Sequence, residues 1–165
     1  MEKSNDFMKN LGFPSSSDQI IEDDGSVNEC LVMSQLFELI KGSYVQIGIM
    51  AKEVGDITLP ATTVTAKAEC VMNIFGSYLE LIDVSGDQTY LKSKHVLYHP
   101  KNSGLDTFGA CCANFAQNHN PKSCDLLILN ITDILFVKKD DKVIFEYLDL
   151  GEHFDLILNG KSLFD

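Results

Sequence analysis

The chain of 165 residues is 45% apolar, which is enough to bury a core and excludes global disorder. Thirteen lysines stand against 24 acidic residues and arginine does not occur, so the formal net charge is −11. Because nucleic-acid backbones and anionic membrane surfaces require a basic footprint on the protein that binds them, we expect neither as a partner.

The lack of an apolar targeting segment and the pattern of cysteines both favour a protein that is kept inside the cell. No apolar targeting segment begins the sequence, and no apolar run approaches the ~18 residues of a membrane span. We therefore expect the protein to be cytoplasmic at synthesis. Five cysteines at irregular spacing do not predict the disulfide framework of a small secreted protein, so free thiols are their default state.

Residues 1–25 are predicted to form a flexible N-terminal arm, because the serines at 15–17 and the acidic turn at 22–25 cannot bury a core. The arm nevertheless carries three large apolar side chains: Phe7, Leu11 and Phe13. The alternative is therefore an arm that docks these side chains onto a neighbouring subunit. Residues 26–165 are predicted to form a single β-rich domain.

The clearest local signal is a helix at residues 27–41. Ser26 and Glu29 have the spacing of a capping box, with Ser26 at the N-cap position. Lys41 complements the dipole of the last turn, and Gly42 can close the helix. Apolar residues recur along one helical face at Val27, Leu31, Val32, Leu36, Phe37 and Ile40.

After Gly42 the apolar period changes to two, which predicts short β-strands. Residues 52–60 are predicted to be a loop, and Ser85-Gly86-Asp87 a hairpin turn. Strands are expected at 44–50, 64–75, 78–84, 89–92 and 95–99.

The C-terminal third begins with an Asn-, Gly- and Cys-rich stretch at 101–124, within which residues 107–117 favour a short helix. Apolar segments separated by polar turns follow this stretch. They predict strands at 126–131, 134–137, 142–148 and 154–158.

The expected links between strands at 76–77 and 85–88 are too short for parallel crossovers, so the sheet is predicted to be mainly antiparallel. The predicted fold class is mainly β with an N-terminal helix: a small antiparallel barrel of the Sm or SH3 type plus additional C-terminal strands. Residues 26–100 would hold the helix and the barrel, and residues 101–165 the loop and the strand extension.

Three stretches resemble the Sm-like small β-barrel proteins: Leu36–Ile47, Cys70–Leu81 and Thr89–Tyr98. The leader helix, glycine and alternating strand at the start of residues 31–100 are also similar to the small-barrel proteins of bacterial endospore coats. This resemblance implies assembly into rings or stacked oligomers through edge strands.

The sequence departs from the RNA-binding Sm pattern in three ways. The charge is acidic, Lys94-His95 stands where that pattern has an Arg-Gly or Lys-Gly pair, and the loop at 52–63 is longer. RNA binding is therefore not implied.

Potential metal ligands are densest at Cys111, Cys112, His119 and Cys124, which lie within fourteen residues. Thiolate and imidazole are the ligands that zinc prefers. Because adjacent cysteines usually point apart, a site would use Cys112, His119 and Cys124 with a fourth ligand such as His99. Zinc is the one cofactor that this pattern suggests.

Other interpretations of the cysteine loop remain open. Buried or free thiols are the default, and disulfides would form in an oxidising assembly. A nucleophile at Cys111 or Cys112 would need a nearby histidine to depress its thiol pKa. No sequence frame of a thiol hydrolase surrounds the pair, so no catalytic residue is predicted.

These patterns favour a non-enzymatic structural or interaction protein that assembles with itself, or binds other proteins, through β edges. Incorporation into a bacterial spore coat follows from the resemblance alone. The alternative is a small-ligand or zinc-binding protein, or a thiol enzyme, that uses the loop at 111–124. Because tryptophan is absent, the interface anchors are expected at Phe7, Leu11, Phe13, Tyr44, Tyr78 and Tyr98.

Overall fold

The computed structural model describes residues 20–21, 23–73, 76–101 and 124–164. They include helices α1 (Glu29–Ile40) and α2 (Gln88–Leu91) and a 3-10 helix at Ile131–Asp133. The strands are β1 (Tyr44–Ile49), β2 (Lys52–Val54), β3 (Ile57–Leu59), β4 (Thr62–Met72), β5 (Tyr78–Ser85), β6 (Tyr98–His99), β7 (Leu126–Asn130), β8 (Ile134–Lys139), β9 (Lys142–Asp149), β10 (Phe154–Leu158) and β11 (Lys161–Ser162).

Nine strands form one antiparallel sheet in the order β11-β10-β9-β8-β1-β4-β5-β7-β6, and β2 pairs with β3 in a separate hairpin. Strand β8 pairs with β1 and β7 pairs with β5, so the C-terminal strands belong to the same sheet as β1. The prediction of a mainly β, antiparallel fold with an N-terminal helix is confirmed. Among the described strands no pairing joins β11 to β6, so a closed barrel is not detected.

The core lies between α1 and the sheet. Helix α1 contacts β4 and β5 on one side of β1 and β9 on the other side. Strands β5 and β9 are four strand spacings apart, roughly 19 Å, whereas a helix is roughly 10–12 Å wide, so the sheet must curve around the helix. The buried side chains of α1 are Val32, Met33, Leu36 and Ile40. They share one core with residues of β1, β4, β5 and β7–β10, including Ile47, Ala66, Leu81, Leu129, Val137, Phe145 and Leu156.

Asn28, and not Ser26, caps the N-terminus of α1. The Asn28 side-chain oxygen accepts the backbone N–H of Leu31 at 3.2 Å. The hydroxyl and the backbone N–H of Ser26 instead donate to Asp24, which ties Ser26 to the preceding turn. The predicted capping box is therefore wrong, and the helix begins two residues later than that box requires, at Glu29.

Helix α1 ends at Ile40, one residue before the predicted end at Lys41, and Gly42 follows it. Gly42 has φ of +72°, a left-handed conformation that suits glycine. The Lys139 ammonium of β8 also donates to the Leu39 carbonyl at 3.2 Å. This bond satisfies one of the carbonyls that the helix leaves open and ties α1 to the sheet.

Two predicted connections differ in the structure. Residues 52–60, predicted to be a loop, contain the β2–β3 hairpin. Residues 89–92, predicted to be a strand after a hairpin turn, lie mostly in α2, because the Asp87 carboxylate accepts the Thr89 N–H at 2.8 Å and so caps a helical turn. The predicted helix at 107–117 lies outside the described residues.

The described chain begins beside α1. The Ile20 carbonyl accepts the Asn28 N–H at 2.7 Å, and Ile21 forms a β-bridge with Val27. These two residues of the predicted arm are therefore attached to the domain. The arm residues Phe7, Leu11 and Phe13 lie outside the described residues.

A close approach in the middle of the sheet gives the first prediction. Gly48 of β1 pairs with Phe136 of β8, and a Cβ at Gly48 would overlap the Phe136 ring. We expect Gly48→Ala to lower the free energy of unfolding in urea by about 1–3 kcal/mol, because the ring must move to make room. Phe136→Leu in the same chain should recover part of this loss. Equal stability of Gly48→Ala and the parent chain would contradict the placement of this ring.

Candidate interaction surface

An exposed cluster of aromatic rings lies near the C-terminal edge of the sheet. The Tyr147 and Phe154 rings stack with centroids 5.6 Å apart, and Phe154 meets Phe164 edge-on at 5.5 Å. Phe154 is 41% exposed and Phe164 is 42% exposed. We call Tyr147, Phe154 and Phe164 the aromatic patch. Leu150, also exposed, lies in the turn between β9 and β10.

The strand register and the last turn bring these three rings together. Leu156 lies opposite Tyr147 in the β9–β10 pair, so Phe154 is the diagonal neighbour of Tyr147. The Ser162 hydroxyl donates to the Asp155 carboxylate at 2.6 Å, which fastens the C-terminal turn to β10. This turn then carries Phe164 back against Phe154.

The backbone of β10 is uncovered at the same place. Strand β11 pairs with β10 at Ile157 and Leu158, and the Leu163 N–H bonds the Leu156 carbonyl just beyond these pairs. The backbone N–H and C=O of Phe154 point to the same outer side as those of Leu156, and no strand in the described ranges pairs with them. An open strand edge can accept a strand of another chain, so exposed aromatic rings and available backbone groups coincide here.

A groove of about 480 Å³ adjoins the aromatic patch and separates the start of α1 from β8, β9 and β10. Its walls are largely apolar. They include Val27 and Val32 on the helix side and Ile134, Phe145 and Leu156 on the sheet side, and Tyr147 and Phe154 belong to both the groove and the patch. We call this feature the α1 groove. Its volume lies within the ~300–1,000 Å³ range of binding clefts.

A smaller cleft of about 280 Å³ lies beyond the end of β1 and is lined by polar groups of both charges, among them Lys52, His95 and Asp133. Tyr90 forms part of its wall. Burial, with a smaller contribution from the Asp133 charge, raises the pKa of Tyr90 to about 12. The mixed charges of this cleft do not select one class of ligand.

Two of the tyrosines predicted as anchors donate hydrogen bonds to carboxylates. The Tyr44 hydroxyl donates to Asp83 at 2.8 Å, and the Tyr98 hydroxyl donates to Asp125 at 3.1 Å. Asp125 also accepts the backbone N–H groups of Asp83 and Val84 at 2.7 and 3.0 Å, and Asp83 has φ of +52°. Asp125 thus bonds the backbone of β5 where Asp83 adopts a left-handed conformation.

The anchor tyrosines differ in accessibility. Tyr44 is 57% exposed, and its hydrogen bond to Asp83 raises its pKa. Tyr98 is half-buried, and its pKa is raised to about 12 mainly by burial and then by Asp125. Tyr78 is half-buried against a second apolar cluster. None of the three belongs to the aromatic patch, and their role as anchors stays a prediction.

The second apolar cluster lies on the face of β5 and β7 opposite the main core. It is formed by Ile82, Leu126 and Ile128, with Tyr78 and Cys124 packed against it. Side chains alternate between faces along a strand, and the main-core residues of these two strands are Leu79, Leu81, Leu127 and Leu129.

A fully buried carboxyl lies on this second face. Glu80 pairs with Cys70 of β4 on one side and Ile128 of β7 on the other. Burial raises the pKa of Glu80, and a hydrogen bond with the Cys70 thiol partly offsets the rise. Among the described residues, no nitrogen or oxygen donor bonds either carboxyl oxygen. The charged form of Glu80 is therefore costly.

The predicted zinc ligands are described only in part. Cys124 packs beside the second apolar cluster, and His99 of β6 pairs with Leu126 of β7. Cys111, Cys112 and His119 lie outside the described residues. Within the part of the chain that the structure describes, no three His, Cys, Asp or Glu side chains form a group that could hold a metal ion. The zinc site stays a prediction.

No described helix combines the length and apolar character needed to cross a membrane. No protein-family model, curated protein or solved structure matches the chain.

The buried carboxyl gives the second prediction. Because the folded-state pKa of Glu80 lies above its ordinary value of 4.5, the folded chain holds this proton more tightly than the unfolded chain. Its contribution to stability is full below pH 4.5 and falls as the pH rises through the folded-state pKa. Glu80→Gln should remove this fall and raise the melting temperature at neutral and alkaline pH, by roughly 2–4 °C for each 1 kcal/mol recovered.

Thermal unfolding followed from acidic to alkaline pH tests this expectation. The control is Glu53→Gln, which changes an exposed carboxylate on β2. The control should keep the pH dependence of the parent chain. An unchanged dependence in Glu80→Gln would contradict a buried Glu80.

Proposed function

We propose that the protein is a non-enzymatic interaction protein that binds a second copy of itself through the aromatic patch and the uncovered end of β10. The observation that carries the proposal is the coincidence of two exposed phenylalanines, Phe154 and Phe164, with an uncovered strand edge. Aromatic side chains supply large contact area at interfaces, and a strand edge supplies directional hydrogen bonds.

The two edges of the sheet are not equivalent, and this favours β10. At the opposite edge, the two-residue strand β6 covers β7 at Leu126 and Leu127, and the Leu97 carbonyl accepts the Ile128 N–H at 3.0 Å. Both edges end in a two-residue strand, so the exposed rings beside β10 are what distinguish the two edges. Only the β10 edge combines uncovered backbone with a cluster of exposed rings in the described ranges.

The small-barrel part of the prediction belongs to this proposal. Five strands are consecutive neighbours in the sheet, in the order β8-β1-β4-β5-β7. Three of the four pairings between them involve β1 or β4. Register shifts in the β1–β8 and β4–β5 pairs support strong curvature, as a small barrel would need. Because β9 already covers β8 and β6 covers β7, assembly would use the outer strand β10.

A wider role as a component of an endospore coat rests on the resemblance of residues 31–100 alone. A layered assembly would need a repeated self-contact, and the proposed β10 interface would supply one. Synthesis in the cytoplasm before such assembly stays part of the same proposal.

Charge should oppose this self-contact. The chain carries a net charge of −11, and Asp149, Glu152 and Asp155 lie next to the aromatic patch in sequence. Two copies would bring these carboxylates close together. Added salt screens such repulsion, so association should strengthen as ionic strength rises.

The third prediction concerns Phe154→Ser. Burying a phenylalanine contributes about 1.5–3 kcal/mol, so its loss should weaken self-association roughly 10- to 100-fold in sedimentation equilibrium. The matched control is Ile57→Ser, because Ile57 is 46% exposed but lies on the β2–β3 hairpin. Circular dichroism verifies that both variants fold.

Two results would contradict the proposed function. One is a parent chain that stays a monomer at high concentration and high salt. The other is self-association that Ile57→Ser weakens as much as Phe154→Ser does.

A further inference from the structure

We infer that the α1 groove is the docking site for the N-terminal segment of the same chain, residues 1–19, which places Phe7, Leu11 and Phe13 against the groove walls. This inference does not rest on self-association. The groove shares Tyr147 and Phe154 with the aromatic patch and lies where the sheet faces the start of α1.

The described chain begins next to the α1 groove. Ile20 and Ile21 are bound to Asn28 and Val27, and Val27 is itself part of the groove wall. The preceding residues therefore join the domain next to the groove. Ile20 is thirteen residue steps along the chain from Phe7, which allows a reach of up to about 43 Å. That reach exceeds the ~30 Å diameter of a small domain, so every part of the groove is accessible.

The α1 groove and the N-terminal segment are chemically complementary. The groove walls are mostly aliphatic and aromatic, and the segment supplies large apolar side chains at Phe7, Leu11 and Phe13. An apolar groove of this size left open to water would lose the free energy that burial provides. The segment is the part of the chain outside the described residues that is joined directly to the groove wall.

The N-terminal segment carries little of the net charge of the chain. Residues 1–19 contain two lysines and three acidic residues, so they hold −1 of the formal net charge of −11. The remaining −10 belongs to the rest of the chain. A second folded domain that approached the groove would bring a large like charge with it, whereas the segment brings almost none.

The linkage decides between the chain's own segment and that of another copy. A short covalent connection gives the tethered segment an effective concentration in the millimolar range at its own groove. Free copies at ordinary protein concentrations cannot compete with this. Docking should therefore be intramolecular and independent of dilution.

The absence of tryptophan allows a direct test in the full-length chain. Phe7→Trp introduces a single emitter into the segment. We expect its emission at shorter wavelength, with severalfold weaker quenching by acrylamide, than the emission of Ser16→Trp in the serine run. Both properties should be unchanged from nanomolar to high micromolar protein, because the contact is intramolecular.

A substitution in the groove tests the location. Met50 lines the groove, and Met50→Glu in the Phe7→Trp chain should move the emission to longer wavelength and restore quenching. Ile57→Glu, on the distant β2–β3 hairpin, is the matched control and should change neither. Thr132→Arg, at a second lining position, replaces Met50→Glu if that variant does not fold.

Three results would overturn the inference. The first is solvent-like emission of Phe7→Trp at every concentration. The second is a shift that disappears on dilution, which would mean that the segment occupies another copy. The third is a shift that persists in a folded groove variant, which would place the segment elsewhere. Loss of self-association alone would not change the nanomolar emission, so the two proposals fail separately.

Discussion

The burial of one face of α1 against a curved sheet is the interaction on which the rest of the structure depends. Val32, Met33, Leu36 and Ile40 are inaccessible to solvent, and the helix contacts strands on both sides of β1. This contact holds the strands on both sides of β1 around a single core. It also brings Leu156 of β10 to the same groove as Val32, so the packing of α1 shapes the α1 groove.

The same arrangement determines what stays outside the core. Helix α1 still contacts β9, but the sheet continues past it into β10 and ends in a two-residue strand. The rings of Phe154 and Phe164 lie at this end and remain exposed. The aromatic patch and the α1 groove thus have the same cause, because a helix twelve residues long covers only part of a nine-stranded sheet.

Local patterns predicted much of the fold and little of the candidate surface. The period of α1 and the alternation of β1 are properties of neighbouring residues, so the sequence is informative about both. Asn28 and Ser26 are equally good caps by chemistry, and only the turn at Asp24 selects between them. Glu80 lies in an alternating strand and would face water, but pairing with β7, far along the chain, buries it. Phe154 and Phe164 meet only through the turn fixed by Ser162 and Asp155, a contact that periodicity does not encode.

The most direct test of the central claim is hydrogen–deuterium exchange of the full-length chain at increasing protein concentration. Pairing at the β10 edge would protect the backbone amide of Phe154, which points away from β9 and is covered by no described strand on the outer side. Exchange at this amide should slow with concentration, while exchange at Asp155, which faces β9, and at Tyr98 and His99 of β6 should not. Concentration-independent exchange at Phe154, or protection that appears at β6 instead, would contradict the central claim.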